Sequence, residues 1–140
     1  MISLILGRKG SGKTKFLINA VNEAVEKTNG NVICVEKETG LTYDVNYRAR
    51  LVVADRYGIK GYDAFFGFIS GICAGDNDIT DILIDATLKI GGDDFNALAC
   101  FLKKLAGLAD LSNTKITLTI SADPAELPAE IFEYCQQINK

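Results

Sequence analysis

Apolar residues recur along this chain with two alternating periods, and the switches between them predict a string of strands and helices. Residues 2–6 (ISLIL) form a short apolar run closed by Gly7, the pattern of a buried strand. After a glycine-rich octapeptide, Phe16, Leu17, Ala20, Val21, Ala24 and Val25 fall at helical spacing, and Asn29-Gly30 stops that helix. Residues 31–36 (NVICVE), rich in β-branched side chains, predict a second strand; 51–54, beyond a polar stretch, predict a short third. From 62 to 72, Tyr62, Phe65, Phe66, Ile69 and Ile72 share one helical face, and that spacing favours core packing over a base-stacking platform. Residues 79–85 (ITDILID) are an apolar run ending in a carboxylate. Phe95, Leu98, Ala99, Leu102, Leu105 and Ala106 mark another amphipathic helix, and 115–121 (KITLTIS) alternate as a strand does. Asp123-Pro124 and Leu127-Pro128 then introduce a short C-terminal helix near 131–135.

Strands alternating with helices imply an α/β fold whose sheet is mainly parallel, with about five strands and helices on both faces. No repeat, low-complexity stretch or linker divides residues 1–140, which read as a single domain.

The octapeptide at residues 7–14, GRKGSGKT, fits G-x-x-x-x-G-K-[ST] at every fixed position, and it follows a predicted strand and opens a predicted helix. Both contexts belong to the P-loop that cradles phosphates. Gly7, Gly10 and Gly12 let the backbone turn its N–H groups inward, and Arg8, Lys9, Ser11 and Lys15 belong to the same cradle. Lys13 is spaced to reach the β- and γ-phosphates of ATP, and Thr14 offers a hydroxyl to Mg²⁺. The second metal anchor in such sites is an acid at the end of an apolar strand. Asp85 fits, whereas Asp81 lies near the start of its run. With the motif in hand, the fold class sharpens to a three-layer P-loop NTPase sandwich.

Hydrolysis needs a group that orients water. Many P-loop ATPases carry Glu directly after the strand-end Asp, where this chain has Ala86. An arrangement resembling that of RecA-like recombinases would draw the base from just beyond the second strand, where Glu36 and Glu38 stand and Glu38 matches better. Ser121 and Asp123 could sense the γ-phosphate if the 115–121 strand lies beside the first. Arg48, Arg50 and Arg56 are candidate charge-stabilising fingers, with a solvated loop the alternative for all three.

Composition limits the partners. The chain has 140 residues, 48% hydrophobic, with a formal charge of -3. Its densest basic stretch is Arg8-Lys9 with Lys13 and Lys15, and no Lys/Arg stripe of the kind that neutralises nucleic acid is present. The opening apolar run is too short for a signal peptide or membrane span, so neither a membrane nor nucleic acid is the expected partner. Four cysteines stand apart without a CxxC pair, and there is no histidine. Cys34, Cys73, Cys100 and Cys135 are therefore expected as small core residues of a reduced, cytoplasmic protein.

The whole chain resembles a group of small single-domain P-loop ATP-binding proteins of Firmicutes, often labelled twitching motility protein PilT. The resemblance is carried by ISLILGRKGSGKT, FGFISGICAGDNDITDILIDATLKI and TISADPAELPAEI. It implies a P-loop fold, ATP binding and a cytoplasmic setting. The leading expectation is Mg-dependent ATP binding with slow or partner-stimulated hydrolysis, with Lys13, Asp85 and Glu38 as catalytic groups. An unidentified protein partner or a second copy of the chain is compatible with it. Two alternatives stay open. One is a nucleotide or nucleoside kinase, using the 37–50 loop with Tyr43 and Tyr47 as lid. The other is a non-hydrolysing, nucleotide-dependent interaction module.

Overall fold

In a computed structural model, which describes residues 1–40 and 44–140, the apolar runs pair into one six-stranded sheet. The strands are β1 (Ile2–Leu6), β2 (Asn31–Glu36), β3 (Arg50–Val53), β4 (Ile79–Ile84), β5 (Lys115–Ile120) and β6 (Cys135–Gln137). Their order is β3-β2-β4-β5-β1-β6, and every pairing is parallel. The helices are α1 (Lys13–Lys27), α2 (Tyr62–Gly75), α3 (Thr87–Gly91) and α4 (Phe95–Ser112).

The strand alternation sorts side chains into two clusters on opposite faces of the sheet. Leu4, Leu6, Ile82, Ile84, Ile116 and Leu118 pack with α2 and α4 through Phe65, Ile69, Leu98 and Leu102. Ile5, Cys34 and Leu83 pack with α1 through Leu17, Val21 and Val25. Helices on both faces are compatible with a three-layer sandwich. The aromatic face of α2 is core, as its spacing implies. Phe65 stacks on Phe101 at 4.8 Å between ring centroids, and Tyr62 lies 5.0 Å from the same ring.

Three expectations are corrected. The sheet has six strands, because the segment near 131–135 is not a C-terminal helix. A 3-10 turn (Ala129–Glu133) runs into β6, which pairs with β1 at Ile2↔Cys135. The third strand is Arg50–Val53, and Ala54 already opens a 3-10 turn. Cys100 is not a core residue. It stands about 200° around α4 from Leu98 and is exposed, while Cys34, Cys73 and Cys135 are buried.

These environments predict thiol reactivity. Burial pushes the Cys34 and Cys135 thiols up to about 12, so their thiolate fraction at neutral pH is negligible. Brief alkylation of the folded protein at pH 7.5, followed by peptide mass spectrometry, should give one adduct, at Cys100. Equal labelling of Cys34 would contradict this burial pattern.

Candidate functional site

The parallel order brings the C-terminal ends of β1, β5 and β4 side by side, and the glycine-rich loop leaves the first of them. β5 lies directly against β1, the condition on which a role for the 115–121 strand depended. The loop is held at its start by Gly7 N–H donating to the Ala122 carbonyl at 3.0 Å. Gly7, Gly10 and Gly12 all have positive φ, at 149°, 86° and 90°. At Gly7 space also matters, because a Cβ there would fall 2.5 Å from Ser11 Oγ. Gly12 is left-handed and caps α1, so the helix begins at Lys13 with its first N–H groups turned toward the loop.

Lys13 folds back over the loop and donates to the Arg8 carbonyl at 3.0 Å. It is nearly buried, and its amine is held below the usual lysine range by desolvation, an effect partly offset by the nearby Asp85 carboxylate. Thr14, one residue on, donates from Oγ1 toward Asp85 at 3.3 Å to Oδ2 and 3.5 Å to Oδ1. Asp85 also accepts from Thr119 Oγ1 at 2.7 Å, and Thr119 Oγ1 accepts in turn from Ala86 N–H at 2.9 Å. One threonine of β5 thus ties the end of β4 to the chain that follows it. Ala86 is left-handed (φ 60°, ψ 45°), a conformation costing a residue with a Cβ roughly 1–2 kcal/mol. It turns the chain from the sheet edge into α3.

These groups line a cleft of about 590 Å³. Lys9, Gly10, Gly12, Lys13, Thr14 and Lys15 come from the loop and the start of α1. Asp85, Ala86, Leu88 and Lys89 come from the end of β4 and from α3, and Thr119 and Ser121 from the end of β5. Four lysines against one aspartate make the cleft cationic, although the chain is -3 overall. Arg8 pairs with Asp123 at 2.8 Å, both side chains substantially exposed and neither among the residues lining the cleft.

The remaining candidates stand elsewhere. Glu38 is exposed in the turn after β2 and does not line the cleft, whereas Glu36 is buried at the end of β2. Arg50 lines a separate groove with Val52 and Tyr57, and neither Arg48 nor Arg56 reaches the cleft lining. Asp81 sits at the opposite end of β4. Tyr47 is exposed, and Tyr43 lies outside the described residues. Thr119 and Lys89 were missed. The first had a signal, since the alternation of KITLTIS sets Thr117, Thr119 and Ser121 on one face. The second had none, because five residues are too few to display a period.

The donor set is chemically consistent with a polyanion and a hard cation. Among the described residues no group of three or more His, Cys, Asp or Glu side chains gathers to hold a metal alone. The Thr14 and Asp85 oxygens, 3.3 Å apart, come close to the ~2.9 Å between adjacent ligands of an octahedral Mg²⁺. Among the described residues no helix is long and apolar enough to cross a membrane. Comparison with models of known protein families and with curated proteins returns no match to this chain.

Thr119 is the joint of the site, and stability should report it. Thr119→Val removes a donor to Asp85 and an acceptor for Ala86 N–H and should lower urea unfolding stability by roughly 1–3 kcal/mol. Thr119→Ser should recover most of the loss. A valine variant as stable as wild type would refute this role.

Proposed function

We propose that the chain is a P-loop NTPase-type domain that binds Mg-ATP in this cleft, with hydrolysis that is slow or stimulated by a partner. The observation that carries the reading is the meeting of Lys13 and Thr14 with Asp85 in one cationic cleft, at the ends of adjacent parallel strands. The sandwich layering, the glycine geometry at residues 7–14 and the strand-end carboxylate agree with that fold type and with the small P-loop ATP-binding group that the sequence resembles. Free cysteines suit a cytoplasmic setting.

In this reading the loop N–H groups and Lys13 Nζ bind phosphate oxygens, Lys13 exchanging the Arg8 carbonyl for a charged acceptor. Thr14 and Asp85 would hold Mg²⁺, which would supply positive charge to offset that of the phosphates. Thr119 keeps the Asp85 carboxylate aimed at Thr14. The observation that favours slow turnover is the makeup of the cleft wall: Ala86 follows the aspartate, and Glu38 stands outside the lining. A water held only by solvent loses the roughly 10²–10⁴-fold that a positioned base contributes. For the same reason a non-hydrolysing, nucleotide-dependent interaction module is retained as the second reading.

Calorimetry with Mg-ATP tests the proposal. Lys13→Ala should weaken binding by at least tenfold, and Asp85→Asn should remove most of the Mg²⁺ dependence while leaving residual metal-free binding. Equal, weak binding by wild type and Lys13→Ala would end the nucleotide reading. Measurable binding without turnover would select the second reading over the first.

A further inference from the structure

Three of the four cleft lysines, Lys9, Lys13 and Lys15, come from the glycine loop and the first turn of α1. The fourth, Lys89, comes from α3. Among the described residues it makes no ion pair, and none of the chain's arginines lines the cleft beside it. Like charges gathered against a single carboxylate repel one another, and a polyanion relieves that repulsion.

Lys89 does not reach the cleft by chance fraying. In the short turn of α3, Thr87 and Ile90 are buried three residues apart, which leaves Leu88 and Lys89 for the cleft side. The turn is fixed at its start by the bond from Ala86 N–H to Thr119. Its end is fixed by Gly61 N–H donating to the Ile90 carbonyl at 2.9 Å and by Tyr62 O–H donating to the Gly92 carbonyl at 2.6 Å. The Tyr62 ring lies so close that a Cβ on Gly91 would fall 2.1 Å from it. The base of the Lys89 side chain is therefore held in place, while among the described residues its tip makes no ion pair.

We infer that Lys89 recognises the terminal phosphate of the bound nucleotide, so that the cleft distinguishes a nucleoside triphosphate from a diphosphate. This rests on the nucleotide reading above. The direction follows from the place of Lys89 in the chain. Thr14 and Asp85 would hold the metal that offsets the charge of the outer phosphates, and Lys89, four residues beyond Asp85, lines the same cleft. A cation there meets oxygens that a diphosphate lacks. The proposed discrimination needs no turnover and holds for a hydrolase and for a nucleotide-gated interaction module alike.

The test compares Kd for Mg-ADP and for a non-hydrolysable Mg-ATP analogue in wild type, Lys89→Ala, Lys89→Arg and Lys103→Ala. Lys103 is an exposed lysine of α4 outside the cleft and controls for net charge. Lys89→Ala should lose about tenfold for the triphosphate and less than about twofold for the diphosphate, which also shows that the variant is folded. Lys89→Arg should keep the preference, and Lys103→Ala should match wild type. An unchanged triphosphate-to-diphosphate ratio in Lys89→Ala would overturn the role of Lys89 while leaving the nucleotide reading intact. Failure of wild type to bind either ligand would overturn both.

Discussion

The hydroxyl of Thr119 is the point on which the cleft hangs, because it holds both the Asp85 carboxylate and the backbone that leaves β4. It donates to the Asp85 carboxylate at 2.7 Å and accepts from the next residue's N–H at 2.9 Å. Asp85 N–H is itself spent on the Val35 carbonyl at 2.8 Å, so the end of β4 is fixed from both neighbouring strands. One side chain of β5 can do this because β5 lies directly against β4 in the sheet. The parallel register sets the height. Leu118 pairs with Leu4 on one side and with Ile84 on the other, which brings Thr119 level with the strand end.

The same strand serves two opposed requirements by alternation. Ile116, Leu118 and Ile120 enter the apolar layer beneath α2 and α4, while Thr117 and Thr119 face the α1 side. Both threonines are almost wholly buried, and burying a hydroxyl is unfavourable unless it finds partners. Thr119 finds them in the site. Shifting β5 by one residue would drive the apolar face toward the cleft and strand the hydroxyls in the core, so packing fixes the register that the site uses.

What was legible in the sequence follows the range of the interactions that set each feature. The glycine loop, the helix after it and the strand-end Asp85 are local, and their spacing carried them. The alternation in KITLTIS also foretold the burial of β5. α3 was illegible: TLKIG spans little more than one turn, and Ala86 adopts a left-handed conformation that sequence reasoning assigns to Gly or Asn. β6 was misread because Asp123-Pro124 and Leu127-Pro128 carry the same signals that open a helix. Its strand state comes from β1, more than a hundred residues away, and a three-residue strand has no period of its own. Asn139 extends that pairing with side-chain atoms, accepting from Leu6 N–H and donating to Leu6 C=O at 2.8 and 2.7 Å. Cys100 could have been placed correctly, because it falls outside the stripe that Leu98, Leu102 and Leu105 define.

These constraints converge on the loop. Its positive-φ glycines and the αL turn at Gly12 are set when the sheet folds, so little conformational entropy remains to be lost on binding. Leu6, the residue before the loop, is paired on one side by β5 and on the other by Asn139; Gly7 is tied to Ala122. In the proposed nucleotide-bound state the Lys13 amine would exchange a neutral carbonyl for a phosphate oxygen, a charge-assisted bond of roughly twice the strength. Burial lowers the proton affinity of that amine. A phosphate at the loop would act in the opposite direction by favouring the charged form, so in that reading binding and Lys13 protonation would be linked, each strengthening the other.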